Sequence, residues 1–292
     1  MKKLFFALPL LGFTITGFTQ DFATGFKSSE VAPGIHMLEG ADGFSGGNIG
    51  LLVGDDRIVL IDDGLEPLAP ALLEAAGKLA GRSIDFVINT HVHGDHVGGN
   101  AALAETGATI VAHDNIRRRM LASEEGVKPG SLPVITFSDA VTFNVNGLDA
   151  QVFHVEHAHT DGDAVIHFRN ANVIHTGDVM FNGIFPFIDL DNGGSVDGYI
   201  AGIHRILAIA NHATIIIPGH GPVAARADLE KAVNMLIDAK ARVKVLVDSG
   251  KSEQEILAAN PLADYDDWSW SFITTERMTG TLIRALKPTS GQ

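Results

Sequence analysis

The sequence contains no cysteine. That absence excludes disulfides, thiolate-ligated metals and a cysteine nucleophile. Positive charge is also scarce: 21 Lys+Arg face 35 Asp+Glu, for a formal net charge of −14. Proteins grip nucleic acid with a basic surface, so no nucleic-acid partner is expected for so acidic a chain. An uncharged stretch near the start, residues 4–18, falls short of the about 20 residues a spanning helix needs. Lys2 and Lys3 precede it and polar Gln20 and Asp21 follow, the arrangement of a secretory signal over residues 1–20, although no Ala-x-Ala motif marks a cleavage point. On that reading residues 21–292 form one domain, periplasmic or secreted, with no stable membrane insertion once the signal is removed. Apolar residues make up 46 % and charged residues 19 %. This is a composition with enough core material to exclude a disordered or collagen-like chain.

Short apolar runs dominate what is present. Residues 49–53 and 57–61 flank Gly54-Asp55-Asp56, which reads as a hairpin. Residues 66–80 place Leu68, Leu72, Ala75, Ala76 and Leu79 on one helical face, and Gly81 can end that helix. Residues 84–88 suit a strand buried on both faces, residues 101–104 a short helix and residues 109–112 another strand. The second half repeats the theme. Strands are expected at 134–137, 141–145, 151–155, 164–168, 173–175 and 213–217, with Asn146-Gly147 as a turn between two of them. Ser195 can cap a helix running to Ala210, a long helix spans 228–249 before Gly250, and Ser252-x-x-Glu255 has the form of a capping box. Strands followed by helices, twice over, predict an α/β protein with two packed sheets and helices outside.

Histidine is the residue to explain, with 13 copies. Thr90-His91-Val92-His93-Gly94-Asp95-His96 crowds four ligand-type side chains into one turn. In an extended segment residues two apart point the same way, so His91 and His93 can grip one ion. Gly94 permits a sharp turn, after which Asp95 and His96 can face a neighbouring ion. Three later pieces also sit behind expected strands: His159-Thr160-Asp161-Gly162-Asp163, Gly177-Asp178 and Pro218-Gly219-His220-Gly221. Imidazole and carboxylate without thiolate suit zinc, iron or manganese.

Taken in order, these motifs and Leu60-Ile61-Asp62-Asp63-Gly64 resemble the metallo-β-lactamase-fold hydrolase superfamily over residues 34–222. The resemblance implies a four-layer αββα sandwich with metals at one sheet edge. It implies that His91, His93 and His159 bind one ion, that Asp95, His96 and His220 bind a second, and that Asp178 bridges them. Two zinc ions per chain are implied, with a shared hydroxide attacking the carbonyl of a small-molecule ester, lactone or lactam. Asp95 would orient that hydroxide and pass on its proton. Asp62 would fix a ligand or the motif loop, and Asn48, after Gly46-Gly47, would contact a substrate carbonyl.

His157 rivals His159 as a ligand, and the His-Thr-x-Gly-Asp context favours His159. His154 reads as a neighbour of the site or a surface residue, and His175 as lying within a strand. Phe181, Phe185 and Phe187 are divided between pocket and core, whereas Trp268, Trp270 and Phe272 read as packing first and pocket second. Within the superfamily, the bridging aspartate resembles thioesterases of the glyoxalase-II type and lactonases. An exported, acidic chain fits a glutathione thioester poorly. This leaves an exported hydrolase of an ester, lactone or lactam, β-lactams included. The alternatives are an iron-dependent, dioxygenase-like oxidoreductase on the same ligands and a glyoxalase-II-like thioesterase.

Overall fold

The computed structural model describes residues 23–123 and 126–287. The expected signal at 1–20 lies outside those residues. Two sheets form the centre. The first has seven strands in sequence order: β1 (Phe26–Ala32), β2 (Ile35–Gly40), β3 (Ile49–Leu52), β4 (Val59–Ile61), β5 (Phe86–Ile88), β6 (Thr109–His113) and β7 (Ile135–Phe137). The second is built from β8 (Ala140–Val145), β9 (Leu148–His154), β10 (Ala164–Phe168), β11 (Val173–His175), β12 (Ile215–Ile217) and β13 (Ala224–Ala225), laid out β13-β12-β11-β10-β9-β8. Both sheets are mixed: β4, β5, β6 and β7 run parallel, as do β11 and β12, and the remaining pairs are antiparallel.

The layers follow from the two-residue period of the short strands. Leu60 and Val87 face outward onto Leu72 and Ala76 of α1 (Ala69–Ala80) and Leu103 of α3 (Asn100–Glu105). Their neighbours Ile61 and Ile88 face inward and meet Val152, Ile166 and Ile217 of the second sheet. On the far side Val165, Ile174 and Ile216 pack against Tyr199 and Ile203 of α5 (Val196–Ile209) and Leu229 and Leu236 of α6 (Arg226–Asp248). Helix, sheet, sheet and helix therefore stack as the expected αββα sandwich. Each fully buried branched side chain contributes about 1.5–3 kcal/mol to that stack.

Local signals act as the sequence suggests. Ser195 accepts the Gly198 amide at the start of α5, Gly81 ends α1 with φ 66°, and Ser252 and Glu255 form a reciprocal cap on α7 (Glu253–Ala259). Asn146 and Gly147 both have positive φ, 53° and 71°, the backbone of a type I′ turn. The strand expected at 57–61 begins only at Val59. Before it, the amides of Asp56 and Arg57 donate to Asn146 Oδ1 and that of Ile58 to Asp85 Oδ2, so none is free to pair. The bonds to Asn146 tie the β3–β4 loop of one sheet to the β8–β9 turn of the other. Among the described residues no helix is long and apolar enough to cross a membrane.

Candidate metal centre

Five loops meet at one end of the sandwich, each leaving the C-terminal end of a strand. Asp62 follows β4, the His91–His96 turn follows β5, His159 lies between β9 and β10, Asp178 follows β11 and His220 follows β12. The frame is stitched across the sheets. Thr90 O accepts the Ala164 amide at 2.8 Å, and Asn48 N donates to Gly219 O at 2.7 Å. Two glycines allow the loops to close. A Cβ on Gly47 would stand 2.1 Å from the His96 ring, and one on Gly219 would stand 2.0 Å from Asp178 Oδ1.

Asp178 sits between two sets of side chains. Its Oδ2 lies 3.4 Å from His159 Nε2 and 3.6 Å from His91 Nε2. His93 joins this set through Nδ1, 2.8 Å from His159 Nε2. Its Oδ1 lies 3.2 Å from His96 Nε2 and 3.5 Å from His220 Nε2. Asp95 Oδ2 stands 3.4 Å from His220 Nε2 and 3.6 Å from His96 Nε2. Potential donor atoms of His91, His93, His159 and Asp178 all lie within 4.8 Å of one another, and so do those of His96, Asp178 and His220.

These residues fit a metal cluster. His91 Nε2, His96 Nε2 and Asp178 Oδ1 are buried without a hydrogen-bond partner. A buried unpaired polar atom costs about 1–3 kcal/mol, and three pointing into one space are hard to retain without a ligand there. The outward atoms, by contrast, are anchored. Asp62 Oδ2 takes His96 Nδ1 at 2.7 Å and the Thr90 hydroxyl at 2.7 Å, while Asp62 Oδ1 accepts the Thr90 amide. The Thr90 hydroxyl also lies 3.0 Å from His91 Nδ1, and His159 Nδ1 lies 2.8 Å from Phe187 O. Fixing the outer nitrogen aims the inner one, which is how ligating histidines are oriented.

Burial, with His96 next, pushes His91 well below the usual imidazole range, and burial lowers His159 to about 4. Both therefore present neutral imidazole, the ligating form. Burial would raise Asp178 and Asp95. The surrounding imidazoles, His220 first for Asp178 and His96 first for Asp95, instead hold Asp178 well below the carboxylate range and Asp95 at about 2. Against burial, Asp178 first and Asp95 after it raise His220 to about 9.

The structure gathers His91, His93, Asp95, His96, His159, Asp178 and His220 at this one place, with Asp62 behind His96. Two other expectations need correction, at Asn48 and in the aromatic segment 268–272. Asn48 does not face the cavity with a free amide: both Nδ2 hydrogens are engaged by Pro218 O (2.9 Å) and Gly221 O (2.8 Å), so it braces the loop that carries His220. At Gly94 the chain turns from extended backbone into a helical turn, α2 (Gly94–Val97), and a Cβ there would meet nothing within 4 Å. His157 is exposed with its Nδ1 on Gly193 O, His154 stacks on His113, and His175 is buried in β11. Phe185 and Trp268 are core, but Trp270 and Phe272 line a cavity over the cluster together with Phe44, Phe181 and Phe187.

Two anchoring carboxylates escaped the sequence reading. Asp189 Oδ2 lies 2.8 Å from His93 Nε2, which turns Nδ1 inward. No local signal points to it, because it stands 96 residues from His93. Asp163 accepts the His159 amide at 2.6 Å and both the amide and the hydroxyl of Thr160. It closes the His-Thr-x-Gly-Asp motif, and that position is the signal that could have marked it.

A family model described as the metallo-beta-lactamase superfamily matches residues 42–220. The chain belongs to that superfamily. Among curated relatives, a hydroxyacylglutathione hydrolase of Polaromonas sp. is 31% identical over 161 residues, covering 53% of this chain and 56% of the relative. A metallo-beta-lactamase type 2 of Bacillus cereus is 24% identical over 184 residues, covering 61% of this chain and 68% of the relative. The match thus spans little more than half the length of the first of these. Among solved structures, a metallo-beta-lactamase from Pontibacter korlensis superposes with a TM-score of 0.62 at 18% identity, covering 73% of this chain and 99% of that one. This likeness confirms the fold.

Proposed function

We propose that this superfamily member is a hydrolase that holds two zinc ions and cleaves the carbonyl–heteroatom bond of a small ester, lactone or lactam. One observation carries the reading: Asp178 turns each carboxylate oxygen toward a different set of imidazoles, and one inner imidazole nitrogen in each set, His91 Nε2 and His96 Nε2, lacks a hydrogen-bond partner, as does Asp178 Oδ1. His91, His93 and His159 would hold one ion, Asp95, His96 and His220 the other, and Asp178 both. When bound, such a pair lowers the pKa of a water and polarises a carbonyl oxygen. Asp95 lines the cavity and is ionised at neutral pH, so it can orient a water at the cavity floor and take its proton. A base so placed contributes about 10²–10⁴ in rate. Asp62, Asp189 and Asp163 hold the imidazoles and the His159 loop still while this happens. Lys2, Lys3 and the uncharged run behind them support export of the enzyme.

The test is a panel of esters, lactones, S-lactoylglutathione and a chromogenic cephalosporin offered to zinc-reconstituted protein. Turnover lost in His93→Ala and Asp95→Ala, with the fold intact by circular dichroism, supports the reading. Full activity in both variants overturns it. A thioesterase is the second reading, favoured by the 31% identical hydroxyacylglutathione hydrolase, and it predicts that the glutathione thioester is the best substrate in the panel. Oxygen uptake by an iron-loaded protein with no hydrolysis would instead select the oxidoreductase alternative.

A further inference from the structure

The cavity over the cluster has a volume of about 330 Å³, at the small end of ligand sites. Its walls form a continuous chain of rings from Phe44 to His93. Phe44 stacks on His220 with centroids 6.1 Å apart, His220 on Phe181 at 4.9 Å, and Phe181 contacts Trp270 at 6.1 Å. Trp270 contacts Phe272 at 5.6 Å, Phe272 meets Phe187 edge-on at 5.3 Å, and Phe187 returns to His93 at 5.6 Å. The floor is ligand-type side chains and the wall is almost wholly hydrocarbon.

The wall offers no polar handle. Its one ring N–H outside the histidines, Trp270 Nε1, is already donated to Phe185 O at 2.9 Å. Among the described residues lining the cavity there is neither lysine nor arginine. Arg277 stands 3.8 Å from the Phe272 ring centroid and 5.7 Å from that of Phe187, and its Nη1 donates to Phe272 O at 2.9 Å. It clamps the rings and does not line the cavity. Trp270 and Phe272 also lie beyond the matched residues 42–220, so this part of the wall belongs to the segment the family model does not describe, whereas Phe44, Phe181 and Phe187 lie within it.

We propose that Trp270, Phe272, Phe187 and Phe181 form the acyl pocket of the site, and that its substrate carries an uncharged aryl or medium-length alkyl acyl group. An apolar wall rewards apolar area, roughly fourfold per buried methylene. A carboxylate in it would be desolvated without a cationic partner, which disfavours acyl groups bearing free acids. The inference rests on the hydrolase reading for its chemistry: water adds to the acyl carbon, the acyl–oxygen bond breaks, and a carboxylic acid and an alcohol leave. Its binding content stands apart from that chemistry.

The experiment pairs turnover with binding on zinc-reconstituted protein. Methyl acetate, methyl hexanoate and methyl phenylacetate are followed by acid release in a pH-stat. The expected result is kcat/KM rising at least tenfold from acetate to phenylacetate. Trp270→Ala should lower the phenylacetate value tenfold or more and leave acetate within threefold, with Trp270→Phe restoring most of the loss. Phe272→Ala gives a second, safer variant because this ring is already 42% exposed. Calorimetry with 4-phenylbutyramide, an amide chosen as the binding probe, should show tighter binding than acetamide, lost in Trp270→Ala. Esters cleaved with no dependence on acyl size, or with the glutathione thioester preferred over phenylacetate, overturn the pocket. Amide binding that Trp270→Ala weakens, with no ester cleaved, leaves the pocket standing and removes the hydrolase reading.

Discussion

The floor and the wall of the cavity are built by different rules. On the floor, His91, His93, His96 and His159 each have one ring nitrogen facing inward and the other beside an anchoring oxygen. The backbone there is packed so closely that a single Cβ at Gly47 or Gly219 would collide with the cluster. The wall is held more loosely. The Phe185 amide donates to Trp268 O, the Trp270 indole donates to Phe185 O, and Arg277 lies over Phe272. Rigid anchoring suits bonds that must form near 2 Å. Apolar contact suits a group recognised by area alone. Changes on the floor should therefore act on every substrate and be severe, whereas changes in the wall should be graded and substrate-dependent.

The largest expected effect tests the floor. Asp178→Asn replaces the carboxylate that both sets share, so metal content by mass spectrometry should fall below two per chain and turnover should drop at least 10²-fold for every substrate. Gly219→Ala should come next. Its Cβ would stand 2.0 Å from Asp178 Oδ1, and the forced shift should cost about 1–3 kcal/mol in urea-unfolding stability together with metal. Asp189→Asn keeps the size but weakens the acceptor for His93 Nε2, for about a 10–100-fold loss of metal affinity in competition with a chelator. An unchanged affinity would mean that His93 is aimed by packing alone.

The smallest effect lies away from both regions. His113 and His154 stack with centroids 3.8 Å apart, and burial, the largest cause, lowers both from 6.5. Below pH 6.5 the unfolded chain binds protons that the folded pair resists, so stability should be full above that value and decline as pH falls through it. The urea midpoint should drop between pH 7.5 and 5.5, and drop less in His154→Gln.

Much of this arrangement was legible before any coordinates. Ile61 and Ile88 announce a buried strand by composition, and the His91–His96 turn announces ligands by crowding. Four layers follow once short apolar strands alternate with helices. What was not legible has physical causes. The edge strand β1, with Lys27-Ser28-Ser29-Glu30 exposed, buries too little to show a period. The helix α4 (Asp114–Ala122) buries only Ile116, and so carries no apolar face. Asp189 acts across the fold, invisible to spacing. Asn48 stands beside the right loop, but its amide is captured by two carbonyls that only the tertiary structure brings near. Trp270 and Phe272 were legible as aromatics but not as a wall, since which rings face the core and which the cavity depends on the anchoring of residues 268–273.

The shared carboxylate of Asp178 is the centre of the account, and anomalous diffraction at the zinc edge tests it most directly. The account predicts two peaks, one beside His91, His93 and His159 and one beside His96, His220 and Asp95, with one oxygen of Asp178 bonded to each at about 2.0–2.2 Å. A single peak at full zinc loading, or two peaks of which Asp178 touches only one, would contradict it.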